Sequence, residues 1–175
     1  MEQDEQRRED AEPLFYSGNG LESGLTLAQI AERIFVFIGE RCAGAVNIWV
    51  GTDSPGKPFA AMTSTITLYR PGNGGRYYWT RQPAARFHTT KDRLFAEAMR
   101  SITLMQELRS ALRERIGEGP ELCGIELGII HVDVSKDGKS KSLANAITGM
   151  VQAYGFHPEL KPLAFAASCV ADRHT

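Results

Sequence analysis

The sequence predicts an α/β domain on a mixed five-stranded sheet. Three antiparallel strands precede an αβαβα run, with helices on both faces and an extra N-terminal helix. Three observations predict it. Strand-like segments at about 46–52, 59–70 and 76–81 follow one another with only loops between them. The turn Arg70-Pro71-Gly72-Asn73-Gly74-Gly75 joins the second and third as a hairpin. From about residue 91, helical periodicity alternates with apolar runs, the pattern of helix-linked strands.

The N-terminal helix starts at Thr26, which forms a capping box with Gln29. Leu27, Ile30, Ala31, Ile34, Phe37 and Ile38 make its apolar stripe. In the first strand Val46, Ile48 and Val50 share one face, with Asn47 and Trp49 on the other. In the second, Met62, Ile66 and Leu68 alternate with threonines and Tyr69. The helix predicted over about 91–116 carries Leu94, Ala98, Ile102, Met105, Leu108 and Leu112 at spacings of three and four, and Gly117, Gly119 and Pro120 stop it. The run at about 124–134 is almost continuously apolar, as an interior strand requires. A helix over about 141–154 stops at Gly155, and a strand near 157–162 holds two prolines, which assigns it to an edge. A last helix is expected from about 163 towards Thr175, with Phe165 anchoring it on the sheet.

At 175 residues the chain is most simply one domain, and 42% hydrophobic content suffices for a core. Residues 1–24, charged and then rich in Gly and Ser, read as a flexible tail, leaving 25–175 as the domain. A net charge of −1 excludes a global basic field that would draw the protein onto DNA non-specifically. Cys42, Cys123 and Cys169 form no C-x-x-C pair and read as buried thiols of a reducing compartment. The acidic N-terminus is the opposite of a signal peptide, and no apolar run is long enough to span a membrane. The expectation is a cytoplasmic protein with no membrane partner; a homo-oligomer stays open.

Four acidic residues carry the chemistry. Asp53 lies just past the first strand and Asp133 closes the strand at 124–134. Right-handed crossover makes these two strands plausible parallel neighbours in the sheet centre. Their carboxyl ends then lie side by side, at the edge where open α/β sheets bind ligands. Glu97 falls roughly 70° from the centre of its helix stripe, a boundary position able to reach over that edge. Glu107 projects well away. Asp172 shares a face with Ser168 and Phe165 if the last helix continues. Singly, each has an ordinary reading: a turn or cap residue for Asp53 and Asp133, a solvated surface for Glu97 and Asp172. The inference depends on their convergence. His131 reads as a buried strand histidine satisfied by hydrogen bonds. Asp137-Gly138-Lys139-Ser140 lacks the upstream glycine of a phosphate loop.

Three segments carry a family resemblance over roughly residues 46–175. They are Gly51-Thr52-Asp53-Ser54, His131-Val132-Asp133-Val134, and Lys161-Pro162-Leu163-Ala164-Phe165-Ala166-Ala167-Ser168 running on to Ala171-Asp172-Arg173-His174-Thr175. The chain resembles the ribonuclease H fold and, more closely, the YkuK family of uncharacterised bacterial proteins, predicted to be ribonuclease H-like nucleases. The resemblance implies a two-metal site in which Asp53, Glu97, Asp133 and Asp172 are the catalytic residues and metal ligands. Carboxylates suit hard ions, so the expected cofactors are two Mg²⁺ or Mn²⁺ ions. Two such ions clamp a scissile phosphate, and the expected activity is hydrolysis of RNA, an RNA–DNA hybrid or structured DNA. Lys136, Lys139, Lys141, Arg173 and His174 are the expected substrate contacts. On the hairpin, Arg70, Arg76 and Arg81 with Tyr77, Tyr78 and Trp79 could add phosphate and base contacts. The alternative is a non-catalytic nucleic-acid- or protein-binding module on the same fold.

Overall fold

The computed structural model describes residues 13–39, 45–117, 125–135 and 141–174; of Ile116, Ser135, Lys141, Ala167, Ser168, Cys169 and Asp172 it describes the backbone alone. The strands are β1 (Tyr16–Ser17), β2 (Val46–Asp53), β3 (Phe59–Ala60), β4 (Thr63–Arg70), β5 (Gly74–Arg81), β6 (Ala85–Arg86), β7 (Ile125–Ser135) and β8 (His157–Lys161). The α-helices are α1 (Leu27–Gly39), α2 (Thr90–Ile116) and α3 (Lys141–Ala153). A π-helical turn, Ala166–Ala171, and a 3₁₀ turn, Asp172–His174, end the described chain.

The main sheet has six strands in the order β1-β5-β4-β2-β7-β8. Strands β2, β4 and β5 form the expected antiparallel run, and β7 lies parallel to β2. β8 joins β7 in parallel at the edge. The added strand is β1, which pairs with β5 through Tyr16 and Ser17. It falls within residues 1–24, whose composition reads as a tail, yet Phe15 is fully buried and belongs to the main core. The expected strand 59–70 divides at residues 61–62. β3 leaves the sheet and pairs with β6 in a separate two-stranded ribbon, a non-local pairing that no alternation in the segment encodes.

One apolar core unites the inner sides of α1, α2 and α3 with Ile48, Val50, Ile66, Leu68, Ile130 and Val132. Each such side chain contributes roughly 1.5–3 kcal/mol on burial. The predicted stripes of α1 and α2 are the faces that are buried. Thr26 caps α1 as expected: its Oγ1 accepts from Gln29 N at 3.3 Å, while Gln29 Oε1 accepts from Thr26 N at 2.9 Å. α2 starts on a second capping box, Thr89 with Asp92. The C-terminal π-helical turn lies against β2, β4 and β7 from the other side of the sheet. Thr65 Oγ1 donates to Ala166 O at 3.0 Å, and Ala166 N donates to His131 Nδ1 at 2.8 Å.

That turn corrects one expectation. Phe165 is 49% exposed, whereas Ala164, Ala166 and Ala171 are buried. A π-helical turn carries more residues per turn than an α-helix, so spacings of four and seven do not mark one face here. Small side chains set the close approach instead.

Candidate functional site

The carboxyl ends of β2 and β7 form the candidate site. Asp53 is the last residue of β2, and Gly51 pairs with His131 on β7. Continuing that register by two residues sets Asp53 level with Asp133 and on the same side of the sheet, because side chains alternate with a period of two. The register is not that of the strand starts. Val46, Asn47 and Ile48 pair with Ile125, Glu126 and Leu127, but Trp49 pairs with Ile129, so Gly128 is an extra residue in the ladder. Gly128 has φ +116°, which favours glycine. Without this bulge Asp53 would stand level with Val132, whose side chain points into the core. With the bulge, it is Asp133 that takes the register position opposite Asp53 when the ladder is continued.

Glu97 approaches from α2. It is 3% exposed, so the boundary position becomes interior once α2 is seated. Below it, Ser101 Oγ donates to Thr52 Oγ1 at 2.9 Å, and Thr52 Oγ1 lies 2.9 Å from Ser64 Oγ. These buried hydroxyls fix the helix against β2 and β4. Ser54 Oγ donates to Glu97 Oε1 at 2.6 Å, and Arg93 Nη1 donates to the same oxygen at 2.7 Å. Burial pushes the Glu97 carboxyl up to about 7, against the lowering effect of Ser54 and Arg93 and with a further push from the Asp53 charge.

Asp133 is held by another cation: Lys161 Nζ lies 2.6 Å from its Oδ1. Lys161 comes from β8, next to β7. Among the described residues, no group of three or more His, Cys, Asp and Glu side chains is gathered as a ready metal cluster. Glu97 leans on Ser54 and Arg93, and Asp133 leans on Lys161. Asp172 starts the 3₁₀ turn, and its side chain lies outside the described residues. Lys136, Lys139 and the Lys141 side chain also lie outside them. Arg173 is exposed. His174 stacks on Trp79 with ring centroids 4.3 Å apart and lies 3.2 Å from the Tyr77 hydroxyl. Burial and the neighbouring Arg173 lower its pKa.

His131 is buried as expected. Its Nδ1 accepts the Ala166 N–H, which assigns the proton to Nε2, 2.9 Å from Glu159 Oε2. Burial lowers its pKa to about 4. Its ring lies 4.9 Å from Trp49, which stacks on Tyr69. The hairpin departs from the expected substrate surface. Arg70 is buried, donating to Phe37 O at 2.9 Å and Ile38 O at 3.2 Å at the end of α1, and Tyr78 belongs to the core.

Sequence reasoning missed Ser54, Arg93 and Lys161. Arg93 and Glu97 stand four residues apart on a helix, a spacing that pairs opposite charges. Ser54 directly follows Asp53. For Lys161 no local signal exists, because its partner lies across a strand ladder.

The uncharacterized protein YkuK of Bacillus subtilis (strain 168) is 24% identical over 172 residues, covering 93% of this chain and 96% of that protein. No solved structure matches the chain. The family described as Ribonuclease H-like matches residues 29–175, including both strands that carry the aspartates and the helix that carries Glu97. The chain therefore belongs to the ribonuclease H-like family, and it is similar to YkuK along almost its whole length.

Proposed function

We propose that the protein is a divalent-metal-dependent nuclease that hydrolyses phosphodiester bonds in RNA, an RNA–DNA hybrid or structured DNA. The observation that carries this reading is the register that sets Asp53 level with Asp133 on adjacent parallel strands, with Glu97 buried beside Asp53. The donor set fits hard cations: every candidate ligand is a carboxylate oxygen. A cation already rests on Asp133, the ammonium group of Lys161. Asp53, Glu97 and Asp133 would hold Mg²⁺ or Mn²⁺, with Asp172 as the fourth ligand. When bound, two such ions supply a polarised water and offset the charge that develops on the phosphate.

The protein's own groups perform the remaining tasks. Burial of Glu97 keeps bulk water from one side of the site, which strengthens every charge interaction there. Lys161 is half exposed at the sheet edge, where its ammonium group is within reach of both Asp133 and an incoming phosphate. Arg173 is the exposed cation of the C-terminal turn, and Lys136, Lys139 and Lys141 follow Asp133 in the chain. His174, held between Tyr77 and Trp79, would face substrate from a rigid seat.

A second reading has one observation in its favour. Glu97 and Asp133 each have a basic partner, an arrangement that a binding module without turnover would also keep. The experiment that separates the two is Asp53→Asn assayed on labelled RNA, hybrid and DNA in Mg²⁺ and in Mn²⁺. The nuclease reading expects metal-dependent cleavage by the native protein and its loss in the variant, with an unchanged circular dichroism spectrum. It also expects millimolar Mn²⁺ to raise Tm, since a ligand that binds only the folded state stabilises it. Absence of cleavage on all three substrates, together with a Tm indifferent to both ions, overturns it.

A further inference from the structure

Glu97 is tethered through one oxygen. Ser54 Oγ at 2.6 Å and Arg93 Nη1 at 2.7 Å both donate to Oε1, and the described residues bring no other donor to this carboxylate. The tether is built into the fold. Ser54 is buried and directly follows the last residue of β2. Arg93 stands one turn before Glu97 on α2 and also donates to Ser54 O at 3.2 Å. One guanidinium thus ties helix to strand end and fixes which oxygen of Glu97 is engaged.

We propose that Ser54 and Arg93 are positioning residues that leave Glu97 a single coordinating oxygen, Oε2, and so bias the site towards Mg²⁺ or Mn²⁺ and against Ca²⁺. This inference rests on the metal-site reading above. Mg²⁺ demands a near-ideal octahedron and takes carboxylates through single oxygens. Ca²⁺ takes six to eight oxygens and draws on carboxylates through one oxygen or through both. Bidentate capture needs both oxygens of Glu97. With Oε1 accepting from a hydroxyl and from a guanidinium in a buried pocket, that mode breaks a charge-assisted hydrogen bond, the stronger kind. With Glu97 limited to one oxygen, the site offers Ca²⁺ one protein ligand fewer. Groups that orient metal ligands in this way typically change metal affinity by about 10–100-fold when removed.

The test uses the full chain with cations alone, without nucleic acid. Mn²⁺, Mg²⁺ and Ca²⁺ are titrated separately by calorimetry into the native protein, Ser54→Ala, Arg93→Gln and Arg93→Lys, with circular dichroism as a check on folding. In Ser54→Ala and Arg93→Gln, Mn²⁺ affinity is expected to fall about tenfold while Ca²⁺ affinity holds or rises, so the preference narrows. Arg93→Lys, which retains the charge and a donor, recovers part of it. Parallel weakening of Mn²⁺ and Ca²⁺, or no change in either, overturns the positioning role and leaves the metal site standing. A native protein that binds none of the three overturns both. Ser54→Ala removes a single oxygen, so the comparison survives if the Arg93 variants do not fold.

Discussion

Two buried groups at the site titrate in opposite senses. Glu97 has a folded pKa of about 7 against an ordinary 4.5. Between those values the folded state keeps a proton that the unfolded state has lost, so this contribution is full below pH 4.5 and declines as pH rises to 7. His131 has a folded pKa of about 4 against an ordinary 6.5. Between those values the unfolded state holds the proton, so its contribution is full above pH 6.5 and declines as pH falls to 4. Each slope is about 1.4 kcal/mol per pH unit. Over their shared window, about pH 4.5 to 6.5, the two nearly cancel. In metal-free protein Glu97→Gln is expected to unmask the histidine, and urea midpoints should then fall steadily as pH drops from 6.5 to 4.5. His131→Gln should do the reverse, with stability falling as pH rises through the same window. Parallel, flat profiles for native protein and both variants would count against the burial-driven shifts.

Among the elements, β7 decides the geometry of the site. Its bulge at Gly128 advances the ladder by one residue and brings Asp133, not Val132, level with Asp53. The backbone there has φ +116°, and a Cβ would meet Arg109 Nη2 at 3.1 Å and Phe156 Cδ1 at 3.6 Å. Arg109 lies over the Phe156 ring at 4.8 Å, so a guanidinium that yields would have to leave this contact. Gly128→Ala is therefore expected to cost on the order of 1–3 kcal/mol, measured as a lower urea midpoint, and, under the proposed metal-site reading, to weaken Mn²⁺ binding as well. An alanine variant as stable as the native protein would show that the ladder tolerates a side chain there. The C-terminal turn is the other decisive element. It is secured to the sheet by His131, Thr63 and Thr65, through Ala166 and His174 O, and by the His174 ring stacked on Trp79, not by Phe165.

For the whole molecule, the core extends further towards the N-terminus than composition implies. Phe15 is fully buried with α1 and the sheet, and β1 extends the sheet beyond β5. Phe15→Ala is expected to destabilise the entire domain by about 3–5 kcal/mol, in one cooperative transition followed by both circular dichroism and tryptophan fluorescence. A loss below about 1 kcal/mol would mean that the segment is an appendage to the fold. Among the described residues, no helix is long and apolar enough to cross a membrane.

Local chemistry made much of this legible from sequence. Periods of 3.6 and 2 reveal which faces of α1, α2 and β2 are apolar, and the Thr26–Gln29 box and the glycine stops mark helix ends, because these depend on residues a few positions apart. Strand ends follow from the same signals, so Asp53 and Asp133 could be placed at one edge of the sheet. Only the tertiary structure decided that Gly128 resets the register, that Lys161 neutralises Asp133, that Ser54 and Arg93 share one oxygen of Glu97, and that Phe165 faces outward. The register, Lys161 and Ser54 depend on contacts between segments far apart in the chain, where periodicity carries no information. Arg93 is a local helical pair of Glu97, but its sharing of one oxygen with Ser54 depends on how the helix is seated, and Phe165 follows the pitch of a short turn.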